Sequence, residues 1–90
     1  MREIVRQSRF KADLKRVSRS GSHQLDSLLA VLTMLVNSEP LPARYQDHAL
    51  GGNWNDHREC HIKPDWLLIY RIEPERLVLV RTGSHADLFG

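Results

Sequence analysis

The chain has 90 residues, 41% apolar and 27% charged, with a formal net charge of +2 and one cysteine. That length and balance fit a single soluble domain over residues 1–90, with a core just large enough to fold alone. They exclude a bilayer span, because the longest apolar stretch, Leu28 to Val36, is interrupted by Thr33 and falls far short of ~18 residues, and they exclude an internal disulfide, because Cys60 has no second cysteine to pair with.

Met1-Arg2-Glu3-Ile4-Val5-Arg6 carries no apolar signal core, so the expected location is the cytoplasm, a reducing compartment that suits a lone thiol. Ile4-Val5 in its polar frame predicts a brief first strand. Ser8 can cap a helix running to about Arg19, with Phe10, Leu14 and Val17 on one face at i, i+4 and i+7. Residues 1–20 hold seven basic groups against two acidic ones, a net of +5, and the remaining residues hold six against nine, a net of −3. Such a basic stripe can bind phosphates without regard to sequence, and it is also the ordinary pattern of a solvated helix face.

Ser20-Gly21-Ser22 breaks the pattern, and Ser22 can cap a second helix. That helix carries Leu25, Leu28, Leu29, Leu32, Leu35 and Val36, a broad core-filling stripe, and should end near Asn37, ahead of Pro40 and Pro42. A loop from Glu39 to Asn53 follows, then three strand-like runs: about Trp54 to Ile62, Trp66 to Ile72 and Leu77 to Thr82. Glu73-Pro74-Glu75-Arg76 is a turn that pairs the last two as a hairpin, and the apolar run from Trp66 to Tyr70 predicts a central strand. The order of elements predicts an α+β fold: an antiparallel sheet of about four strands with two N-terminal helices packed on one face.

The chemistry gathers in the second half, where His48, His57, His61 and His85 are interleaved with Asp47, Glu59, Asp65 and Arg81. Strand alternation puts His57, Glu59 and His61 on one face, with Trp54, Asp56, Arg58, Cys60 and Ile62 on the other. Glu59 and His61 are then ~7 Å apart and can reach one ligand, whereas His57 and His61, ~13 Å apart, cannot share a metal ion on a straight strand. Cys60 reads as a small core residue. Arg81, on the face with Leu77 and Leu79, offers planar donors to a phosphate, and His85 lies just beyond that strand. Asp65 stands at the mouth of the central strand beside Trp66, whose ring suits either base stacking or core packing. Imidazoles move protons near neutral pH. RNA carries its own nucleophile, the 2′-hydroxyl, so cleavage needs a base, an acid and cations around the phosphorane. Each proton-transfer role contributes about 10²–10⁴ in rate, and no metal is required.

Three segments carry a family resemblance: Tyr45-Gln46-Asp47-His48-Ala49-Leu50-Gly51-Gly52-Asn53-Trp54, Arg58-Glu59-Cys60-His61-Ile62-Lys63-Pro64-Asp65-Trp66, and Arg81-Thr82-Gly83-Ser84-His85 with a terminal Leu88-Phe89-Gly90. In that order they resemble the YafQ branch of the RelE superfamily, bacterial toxins of type II toxin–antitoxin systems, over essentially the whole chain. The resemblance implies a microbial-ribonuclease-like sheet with two helices and ribosome-dependent cleavage of translated mRNA in the decoding site. It implies a cytoplasmic, cofactor-free endoribonuclease whose partners are the 70S ribosome, mRNA and rRNA, and a ribbon–helix–helix, DinJ-like antitoxin. Operator DNA would be reached only through that antitoxin, and no membrane is involved. By position, His48, His61, Asp65 and His85 match the family's catalytic set. Arg81 matches its phosphate-contacting arginine, Trp66 and Phe89 its site-lining aromatics, and Glu59 stands where YafQ has an aspartate. On this reading His48 is the general base and His85 the general acid. Arg81 and protonated His61 stabilise the phosphate, Asp65 orients a histidine, and Lys11, Lys15, Arg16 and Arg19 form the platform on rRNA. Two other readings fit the same residues: a noncatalytic RNA- or protein-binding module on this fold, and a nuclease using His48, His61, Asp65 and His85 as metal ligands.

Overall fold

Alternation along the central strand sets the architecture. In a computed structural model, which describes residues 1–20 and 24–90, Trp66, Leu68 and Tyr70 join one apolar cluster while Leu67 and Ile69 join a second on the opposite face. The first cluster lies beneath two helices, α1 (Ser8–Ser20) and α2 (Leu25–Val36), which contribute Phe10, Val17, Leu28, Val31, Leu32, Leu35 and Val36. The helices thus cover one face of the sheet. The Ser22 cap expected for α2 lies outside the described residues.

The sheet comprises β1 (Glu3–Arg6), β2 (His48–Ala49), β3 (Arg58–Lys63), β4 (Trp66–Ile72) and β5 (Arg76–Gly83), in spatial order β1-β5-β4-β3-β2. β1 runs parallel to β5, and the other pairings are antiparallel. The α+β class is as expected, with five strands rather than about four because His48 and Ala49 pair with Glu59 and Arg58. The strand expected from Trp54 begins only at Arg58: Gly52–Trp54 form a 3₁₀ turn, and Asp56 takes a left-handed φ of 69°. The tail, for which the sequence predicts no element, closes as a short helix, α3 (His85–Phe89).

Two register shifts change which side chains face where. Tyr70 pairs with Leu79 but Ile69 with Arg81, so Val80 is an extra residue and the alternation of β5 flips beyond it. Thr82, not Arg81, then falls opposite Leu68 on the helix side, and Arg81 parts from Leu77 and Leu79. β1 ends opposite Leu79, leaving the next stretch of β5 to α1. There the buried Asp13 carboxylate accepts from the Thr82 amide at 3.1 Å and from Arg81 Nε and Nη2 at 2.6 and 3.1 Å.

Burial alone would push the Asp13 carboxyl up. Hydrogen bonds from Arg81 and the Thr82 amide, with the Arg81 and Arg16 charges, outweigh it and hold the group below its ordinary value of 3.8. A carboxylate depressed on folding stabilises the fold above its unfolded value, and that contribution disappears as pH falls through the folded value. Asp13→Asn should therefore flatten the loss of stability below about pH 4, read by urea titration across pH. Asp13→Ala, which strands a buried guanidinium, should cost about 3–5 kcal/mol.

Cys60 is fully buried on the helix side of β3, opposite Leu68. Burial, with the Asp47 and Glu59 charges, pushes its thiol up to about 12. The native protein should leave a thiol reagent unconsumed at about pH 8 and react with one equivalent only when unfolded.

Candidate active site

β3 supplies the centre of the site. Glu59 and His61 face away from the helices, Glu59 opposite Ile69 and His61 opposite Leu67. β2 lays His48 directly across from Glu59. Glu59 is 4% exposed, and its Oε1 lies 3.4 Å from His48 Nε2 and 3.6 Å from His61 Nε2. Its Oε2 is buried with no hydrogen-bond partner among the described residues. One carboxylate thus sits between two imidazoles.

β2 is two residues long and is held from both sides. Asp47, just before it, accepts from Arg58 Nε and Nη2 at 3.3 and 3.1 Å and from the Tyr70 hydroxyl on the helix side of the sheet. Burial, followed by the Asp47 hydrogen bond and charge, pushes the Tyr70 phenol far up, so it remains a donor. The Gln46 carbonyl lies 2.7 Å from His48 Nδ1. A carbonyl only accepts, so Nδ1 carries the proton and Nε2 faces the site.

α3 brings in the third imidazole. Ser84 and Asp87 form a capping box, with the Ser84 side chain accepting from the Asp87 amide and the Asp87 carboxylate from the Ser84 amide. Those bonds, led by the one from the Ser84 backbone, hold the Asp87 carboxyl below its ordinary value. Gly83 is required just ahead of the cap. Its φ is 151°, and a Cβ there would lie 3.0 Å from Asp87 Oδ2 and 3.1 Å from Arg16 Nη2. His85 opens α3, its amide donating to Asp65 Oδ1 at 3.3 Å and its Nδ1 3.7 Å from the same oxygen.

The three rings form a row. Centroids of His48 and His61 are 6.3 Å apart, and those of His61 and His85 are 5.7 Å apart. Phe89, 47% exposed, continues it 6.2 Å from His85, and Trp54 stands edge-on 6.4 Å beyond. The four residues matched to a catalytic set, His48, His61, Asp65 and His85, are therefore gathered on one surface with Glu59 and Phe89.

Two expected participants are committed to other partners. Trp66 has no exposed surface: it packs in the helix-side core with its indole N–H on Thr82 Oγ1 at 2.9 Å, and cannot stack on a base. The alternation of β4 sets this side, placing Trp66 with Leu68 and Tyr70. Arg81 is buried against Asp13, so it offers a phosphate a charge already met by a carboxylate. The aromatic surface of the site is instead Trp54 with Phe89: a strand beginning at Trp54 would turn its ring to the other face, but Gly52–Trp54 form a 3₁₀ turn. His57 lies against Trp54, with its Nδ1 3.0 Å from the Asn55 carbonyl. Lys11, Lys15 and Arg19 follow one another at i, i+4 and i+8 along the exposed side of α1, while Arg16 is tied to Asp13 and Asp87. Among the described residues no three His, Cys, Asp or Glu side chains are grouped to hold a metal ion, and no helix is long and apolar enough to cross a membrane.

Known proteins resemble this chain in sequence and fold. The model of a family described as bacterial toxins of type II toxin–antitoxin systems, YafQ, matches residues 2–90. The mRNA interferase toxin YafQ of Escherichia coli K12 is 39% identical over 90 residues, covering 99% of this chain and 97% of that protein. Among solved structures, the E. coli DinJ–YafQ complex superposes with a TM-score of 0.88 at 38% identity, covering 100% of both chains. A metal-bound toxin from Helicobacter pylori superposes at 0.91 with 42% identity, covering 99% and 100%. A match over nearly every residue at this identity places the chain in the YafQ family of type II toxin–antitoxin toxins.

Proposed function

We propose that the chain is an endoribonuclease that halts translation by cutting mRNA on the ribosome. The observation that carries this reading is the row His48–His61–His85. In-line attack of the 2′-hydroxyl needs a base and an acid on opposite sides of the phosphorus, and the outer rings of the row stand on either side of the middle one. His48, with Nδ1 committed to a carbonyl, presents Nε2 as the base. His85, with Nδ1 beside Asp65, presents Nε2 as the acid toward the departing 5′-oxygen. Protonated His61 faces the phosphate, with Glu59 behind it to balance the imidazolium. Phe89 and Trp54 offer faces to a neighbouring base. Arg81 is left to shape the sheet through Asp13.

The exposed cations of α1 suit docking on rRNA, and an E. coli relative solved with DinJ supports a DinJ-like antitoxin as the neutralising partner. Operator DNA would be reached through that antitoxin. The chemistry is general acid–base catalysis by side chains alone. Since the H. pylori relative is described as metal-bound, chelation is the direct check.

His85→Ala and His48→Ala should each slow cleavage of a translated message by about 10²–10⁴ and relieve growth arrest without changing the melting temperature. Folded variants as toxic as the parent would refute the assignment. Cleavage should survive EDTA; loss with EDTA and recovery with zinc or manganese would establish a metal nuclease instead. New 5′ ends should appear only when ribosomes occupy the message. Binding without new ends would identify a noncatalytic module.

A further inference from the structure

Six lysines and arginines lie beyond residue 23, and four are committed to carboxylates: Arg58 to Asp47, Arg71 and Arg76 to Glu73, and Arg81 to Asp13. Among the described residues the other two, Arg44 and Lys63, form no ion pair, and both line a single cleft of ≈ 690 Å³ between the first turn of α2 and the end of β3. That volume lies in the range of small-ligand sites. The cleft is continuous with the catalytic row. His61 belongs to both, and Gln46, whose carbonyl fixes His48, lies on its wall.

Arg44 is already positioned. Its guanidinium carbon lies 4.7 Å from the centroid of the Tyr45 ring, and Nη2 donates to the Tyr45 hydroxyl at 3.0 Å. A side chain held in this way loses little freedom when it meets an anion. Asp26 and Ser27, also on the lining, offer acceptors and no cation, which suits a base edge better than a phosphate.

The geometry points to this cleft as the seat of the nucleotide next to the scissile linkage, with Arg44 and Lys63 on its phosphate. The inference rests on the chain being an RNA-cleaving enzyme and names how that enzyme holds its substrate. A strand whose reacting phosphate lies on the histidine row continues in both directions. Past His85 it meets Phe89 and Trp54, which offer stacking and no charge. On the other side, where His61 and Gln46 border the cleft, it meets the two uncommitted cations, with Arg81 too closely paired to Asp13 to serve.

The test uses ribosomes programmed with a message whose phosphate on one side or the other of the cleavage site is replaced by a neutral methylphosphonate. For the wild type, one of the two replacements should lower kcat/KM about tenfold relative to the unmodified message. For Arg44→Gln with Lys63→Gln that ratio should fall to about one, because the contact is already absent. Arg76→Gln, a cation at the other end of β5, should keep the wild-type ratio. Both cleft residues are exposed, so the variants should melt with the wild type. Equal ratios in the wild type and the double variant would overturn the inference while leaving the enzyme assignment standing. A wild type that fails to cut even the unmodified message would refute the enzyme assignment, and the inference with it.

Discussion

β3 must satisfy two surroundings at once. Over six residues it sends Cys60 and Ile62 into the core beneath the helices, and Glu59 and His61 to the opposite face. The two-residue period of an extended chain makes this possible without any loop, and ties the position of the acid–base groups to the packing of the core. β2 shows the same division. Asp47 is bound toward the helices by Arg58 and Tyr70, while His48, the next residue, lies across from Glu59. A change that slipped β3 by one residue would bury the histidine and expose the cysteine.

Charge is arranged with similar economy. Most cations of the second half are neutralised by specific carboxylates, so the sheet surface is not uniformly basic. Asp13 shows how far this goes, replacing a strand neighbour for Thr82 while cancelling Arg81. Uncommitted positive charge is left along α1 and beside the histidine row, where an extended polyanion can be held at two places.

The parts of this molecule legible in the sequence were those fixed by local period. The stripes of both helices, the central strand, the hairpin and the burial of Cys60 follow from spacing alone. The gathering of His48, His61, Asp65 and His85 was legible only as a resemblance, because it depends on which strands become neighbours. The face of Arg81 follows an irregularity at Val80 that reverses the alternation of β5 and leaves no mark in composition, whereas the side of Trp66 follows from the plain alternation of β4 with Leu68 and Tyr70. The face of Trp54 is not legible in the sequence because a 3₁₀ turn ending in an aromatic reads like the start of a strand. The five-residue α3 is too short to show a helical period, although Ser84 and Asp87 stand at the spacing of a cap.

The outermost strands of the sheet are also its shortest, four residues in β1 and two in β2. A side chain of α1 covers the stretch of β5 that β1 leaves open. Neither border offers a run of free amides and carbonyls long enough to template a second molecule. Short borders of this kind disfavour backbone pairing of the sheet with a second molecule.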